Sequence, residues 1–186
     1  MKHALFVAVI AIGMVACNTS SGTQMGMQSS SKSPMNVTSM SAPDIAGILA
    51  TANAGEVQQA QAALPHLSSQ AARDFANMMI NDHTAALNEA NATFSSNHTV
   101  PRTESGQVGM LRDQTKQLVS TFNNSGNNVD ATYMQSQVNI HQNLLTMMDT
   151  QLIPSAHGDL ANLLLKQREA VSMHLDRARQ VLASLP

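Results

Sequence analysis

The stretch AARDFANMMINDHTAALNEANATF, Ala71–Phe94, decides the fold. Ala72, Phe75, Met79, His83, Leu87, Ala90 and Phe94 recur along it at intervals of three and four. That spacing puts all seven on one stripe of an α-helix, because a turn takes 3.6 residues. Glu89 reads as an exposed-face charge on the same helix. Ser68 or Ser69 supplies the cap that such a helix needs, and the run closes near Asn97-His98, before Pro101.

The same pattern repeats on both sides. Upstream, Ser41-Ala42-Pro43-Asp44 reads as a helix start, and Ile45, Ile48, Leu49, Ala52, Glu56, Ala60 and Ala63 follow until Pro65 stops the run. Downstream, a shorter helix over Gly106–Phe122 carries Val108, Leu111, Leu118 and Val119. Asn123-Asn124-Ser125-Gly126-Asn127-Asn128 breaks the chain. Asp130 opens the next helix, with Met134, Val138, His141, Leu145, Met148 and Leu152 on one face and Pro154 as its expected end. The last spans Ser155–Ser184 through Leu160, Leu164, Gln167, Val171, His174, Ala178 and Val181. No apolar alternation of the kind strands require is sustained anywhere. The expected class is therefore all-α. Two helical hairpins joined by a longer connection with a short helix in it fit a ferritin-like four-helix bundle with one crossover. An up-down bundle of five helices buries the same seams and is the competing architecture.

The chain divides into three parts: 1–16, 17–42 and 43–186. Met1-Lys2-His3 followed by an apolar run from Ala4 to Ala16 has the layout of a secretory signal peptide. The run is shorter than the roughly 20 apolar residues that cross a bilayer. Met14-Val15-Ala16-Cys17 resembles a bacterial lipobox, with Met14 in place of the commoner Leu. The resemblance implies lipid attachment at Cys17 and cleavage before it, which anchors the protein to a membrane through its acylated N-terminus. An ordinary signal peptide that leaves a stray thiol is the alternative. Asn18 follows the cysteine, not the Asp that favours inner-membrane retention, so the expected destination is the periplasm-facing side of the outer membrane. Residues 18–42 are mostly Ser, Thr, Gly, Asn and Met with one charge, Lys32, and read as a disordered tether. A coil of that length reaches about 25–30 Å. Met25, Met27, Met35 and Met40 are soft ligands, but without His or Cys beside them they read as linker.

Composition removes several functions. A net charge of -2 gives no footprint for nucleic acid. One cysteine excludes an internal disulfide and a multi-cysteine zinc site. Gly-x-Ser-x-Gly, phosphate-binding glycine loops and His-Glu-x-x-His are all missing, so no catalytic residue is assigned. What remains is one ligand-capable group on the seam of each long helix: Glu56, His83, His141 and His174. Imidazoles and carboxylates on facing helices are how bundles hold a single Zn²⁺, Cu²⁺ or Fe²⁺. The Glu-x-x-His pairs of di-iron bundles are absent, with Ile80 before His83 and Val171 before His174. Counted along the helices, with a crossover between the two hairpins, Glu56, His141 and His174 fall at similar heights. His83 comes out lower, on the order of 10 Å. Asp82 and Tyr133 are candidates for orienting ligands from behind; the plainer readings are a solvated acid and a packing ring. His66, His98 and His157 lie at helix ends and read as surface residues.

Phe75-Ala76-Asn77-Met78-Met79-Ile80-Asn81-Asp82-His83-Thr84 resembles the hallmark helix of a family of exported bacterial proteins, domain of unknown function 4142. Ala54-Gly55-Glu56, Asp130-Ala131-Thr132-Tyr133, His141 and His174-Leu175 are similar to its other marks, in the same order. Val129 stands where the family has an aromatic. The resemblance, over residues 44 to 185, implies a ferritin-like bundle but points to no particular activity. Two functions stay open. One is a non-enzymatic envelope lipoprotein that binds an unidentified protein partner or supports stress tolerance. The other is a metal-binding or metal-dependent redox protein.

Overall fold

The computed structural model describes residues 39–126 and 129–186. The signal sequence, Cys17, the tether through residue 38, and Met25, Met27 and Met35 lie outside the described residues. Among the described residues there is no strand, and five helices account for most of them.

Helix α1, Ala42–Ala63, starts where the sequence places it: the Ser41 side chain accepts from the Asp44 amide, and Pro43 fits the first turn. A 3₁₀ turn at Leu64–His66, built around Pro65, ends it. Met40, assigned to the tether, instead packs on the core and donates its amide to Ser155 Oγ at 3.1 Å. Helix α2, Gln70–Ser96, is capped by Ser69 and finishes on His98 in the left-handed region, where the Thr99 amide reaches back to the Phe94 carbonyl. Arg73 bridges the turn before it, donating to the Leu64 and Leu67 carbonyls at 3.2 Å each. Helix α3, Gly106–Asn124, presents Val108, Thr115 and Phe122 to the interior, one every seven residues.

Helix α4, Asp130–Met147, does not stop cleanly at Pro154. A π turn, Met148–Leu152, and a last α turn, Ile153–Ser155, carry it through the proline. Proline cannot donate to the carbonyl four residues back, and the widened turn accommodates that loss: the Ile153 amide reaches the Met148 carbonyl, five residues away. Ala156 and His157 are extended, so helix α5 begins at Gly158 and ends at Ser184, three residues later than the expected start.

Helix α1 packs against α2 and α3, α4 against α5, and α2 against α5. Hydrogen bonds at the ends set the directions. The Asp130 carboxylate accepts from the Ser68 and Ser69 amides at 3.0 to 3.2 Å, so α2 and α4 start side by side and run the same way. The start of α1 meets the end of α4 through Met40 and Ser155, so those two run oppositely. Helix α3 returns the chain between α2 and α4, with Gln107 on Gln151 at one end and Phe122 edge-on to Tyr133 at the other.

The interior has layers. One apolar cluster gathers Ile45, Ile48, Leu49, Phe94, Met148 and Leu164, among others. A second gathers Ala60, Phe75, Met79, Phe122, Tyr133 and Ala178, among others. Asn53, Glu56, Gln59, His83, Thr115, Gln137, His141, Gln167 and His174 are buried as well. By position along their helices these polar residues fall between the two apolar layers, as a polar slice through the middle of the molecule.

Candidate metal centre

His83 enters that slice from α2, His141 from α4 and His174 from α5, each from the apolar seam of its helix. Their ring centroids are 5.2 to 6.0 Å apart. One ligand nitrogen from each ring lies within 4.8 Å of those from the other two. His83 therefore stands level with the other two, not 10 Å below them. Each residue of error in a helix boundary shifts a height by 1.5 Å, and three helices compound it.

Each ring has one nitrogen engaged and one bare. His83 Nδ1 donates to Asn53 Oδ1 at 2.9 Å, because the Asn53 amide nitrogen is already committed to the Leu49 carbonyl and to Gln167 Oε1. His141 Nδ1 donates to the Gln137 carbonyl at 2.8 Å. His174 Nε2 donates to Asp82 Oδ2 at 3.0 Å. All three partners are oxygen acceptors, so the proton sits on the engaged nitrogen of each ring. His83 Nε2, His141 Nε2 and His174 Nδ1 are left buried without a hydrogen-bond partner. Burial, reinforced by the neighbouring histidines, holds His83 well below the ordinary imidazole pKa. Burial also lowers His141 to about 4, against the Gln137 carbonyl, which favours its charged form. Three buried lone pairs without partners are costly to leave unpaired. A cation at the centre removes that cost. Zinc–imidazole distances of about 2.1 Å in a tetrahedral set need nitrogens about 3.4 Å apart, a shift of less than about 1 Å for each atom.

Glu56 falls outside this group. It lies three residues after Asn53, about 4.5 Å further along α1, and it is Asn53 that reaches His83. Burial raises the Glu56 carboxyl to about 7, partly offset by a hydrogen bond from Gln137. Tyr133 packs edge-on against Phe75 and Phe122, and its hydroxyl has no partner. Burial and the Glu56 charge raise its pKa well above the ordinary value. Tyr133 is thus a packing ring, whereas Asp82, half exposed, does hold a histidine. His66, His98 and His157 take no part in the cluster. Asn53 and Gln137 are the contributors that the sequence reading passed over. Asn53 had a signal: Leu49, Asn53, Glu56 and Ala60 follow the helical period, and a polar residue there had to be buried.

The family model for domain of unknown function 4142 (DUF4142) matches residues 27–181, and the chain belongs to that family. No curated protein and no solved structure matches it.

Proposed function

We propose that this protein is a lipid-anchored envelope protein whose bundle holds one transition-metal ion between His83, His141 and His174. The observation that carries the reading is the set of three buried imidazoles, each with one nitrogen lacking a partner and each offering a ligand nitrogen within 4.8 Å of those of the other two. Three neutral imidazoles suit Zn²⁺, Cu²⁺ or Fe²⁺, and the oxygen partners behind the rings are those that usually fix a ligand tautomer. The anchoring half rests on Met14-Val15-Ala16-Cys17 and the polar segment after it. We read α1, α2, α4 and α5 as a ferritin-like core and α3 as its crossover, supported by the parallel course of α2 and α4. We read the molecule as one that acts by binding.

Elemental analysis of the purified protein, after dialysis against trace metals and then buffer, tests this. One ion per chain is expected. His141→Ala and His174→Ala are each expected to lose it while far-UV circular dichroism stays helical. Substoichiometric metal that the substitutions leave unchanged would sink the reading, and the histidines would then be core polar groups alone.

A further inference from the structure

A cavity of about 40 Å³ borders His83 and His174. Its walls are mainly hydrocarbon, from Leu49, Ala52, Leu144, Met148 and Val171, with Ala86 and Ala170 alongside. Five polar residues also line it, and three of them, Asn53, Gln167 and Asp82, are occupied elsewhere. The Asn53 amide is held by Leu49, Gln167 and His83. The Gln167 amide nitrogen donates to the Ala86 carbonyl at 3.2 Å. Asp82 accepts from His174. Two of the three histidines, His83 and His174, line the cavity, and each keeps one buried ring nitrogen without a partner, Nε2 and Nδ1 respectively.

We infer that the three-histidine centre keeps a fourth coordination position open to this cavity, and that the position takes a diatomic ligand of the dioxygen, nitric oxide and carbon monoxide class. The inference rests on the metal reading above and adds the ligand. Three protein ligands and one open position are the usual arrangement of a reactive tetrahedral centre. One water occupies about 10–15 Å³ of such a volume, so the cavity accepts about two or three atoms. An amino acid, a sugar or a phosphate has neither the room nor the partners it needs. A diatomic molecule needs few hydrogen bonds, gains from hydrocarbon walls and binds end-on to a metal. Azide and similar anions would meet an apolar wall beyond the ion.

The test is carbon monoxide on the copper(I)-loaded protein, read by infrared spectroscopy, and nitric oxide on the iron(II)-loaded protein, read by electron paramagnetic resonance. Metal content is measured on the same samples. One narrow C–O band with one molecule per copper, or a high-spin iron–nitrosyl signal, is expected. Ala170→Leu and Ala86→Leu narrow the cavity from half-buried positions that tolerate a larger side chain. Each is expected to weaken diatomic binding at least tenfold with metal content unchanged. Metal held with no diatomic bound overturns this inference alone, as does diatomic binding unchanged by both substitutions. A chain that holds neither copper nor iron overturns the inference, and one that holds no zinc either overturns the metal reading with it.

Discussion

Two side chains set the behaviour of the polar slice. Glu56 keeps its proton to about pH 7 in the folded chain, against an ordinary value of 4.5. The folded state therefore binds a proton that the unfolded state releases, and the associated stability is complete below pH 4.5 and lost as the pH rises to about 7. At 1.36 kcal/mol per pH unit the loss is about 3 kcal/mol. Glu56→Gln keeps the shape and removes the titration. In urea unfolding at pH 5 and pH 8, wild type should lose about 3 kcal/mol more than the variant across that interval; equal losses would show that Glu56 ionises freely. Asp82 is the partner that fixes His174 while staying half exposed. Asp82→Ala should lower metal affinity about 10- to 100-fold without a change in helical content, because the His174 proton is no longer held on Nε2. Isothermal titration with Zn²⁺ measures it, and an unchanged affinity would remove Asp82 from the site.

At the scale of helices, the close approach of α1 to the segment after α2 makes one glycine indispensable. A Cβ on Gly47 would overlap the Arg102 carbonyl, whose own amide is bonded to the Pro43 carbonyl at 2.8 Å. Gly47→Ala should cost about 1–3 kcal/mol in thermal unfolding. Gly109, inside α3 with nothing near its missing Cβ, is the control. Gly109→Ala should stabilise by about 0.5–1 kcal/mol, and a variant pair that moved together would show that space at Gly47 is not the issue. The seams of these helices were legible in the sequence, since Phe75, Met79, Leu164 and Val171 lie on the face that their periodicity requires. So were the caps at Ser41 and Ser69. The π turn was not, because a proline within a helical run reads as a stop and the compensating turn has no residue signature. Asn53 was not, because an amide on an apolar seam reads as an interruption until its partners, Gln167 and His83, are in view. The three histidines could be named from their seams, but their common level depends on helix ends that no single residue specifies.

For the whole molecule, the proposed attachment to the envelope rests on Met14-Val15-Ala16-Cys17. No helix among the described residues is long and apolar enough to cross a membrane. Cys17→Ser should shift the protein from the membrane pellet to the soluble or unprocessed fraction after an alkaline wash; continued pelleting would count against lipid anchoring. The amide bridge between Asn53 and Gln167 has a further consequence. Much of the interface between helices is alanine: Ala46 and Ala60 on α1, Ala72, Ala76 and Ala90 on α2, Ala178 on α5. Small, similar side chains let neighbouring helices slide by a turn, about 5.4 Å, at little cost in packing. Asn53 is bonded to α5 and to His83 on α2, and Gln167 to the Ala86 carbonyl of α2, so a slip of any of the three breaks buried bonds that nothing replaces. The bridge acts as a detent: it selects one register from many near-equivalent ones, and in that register the three imidazole rings stand 5.2 to 6.0 Å apart.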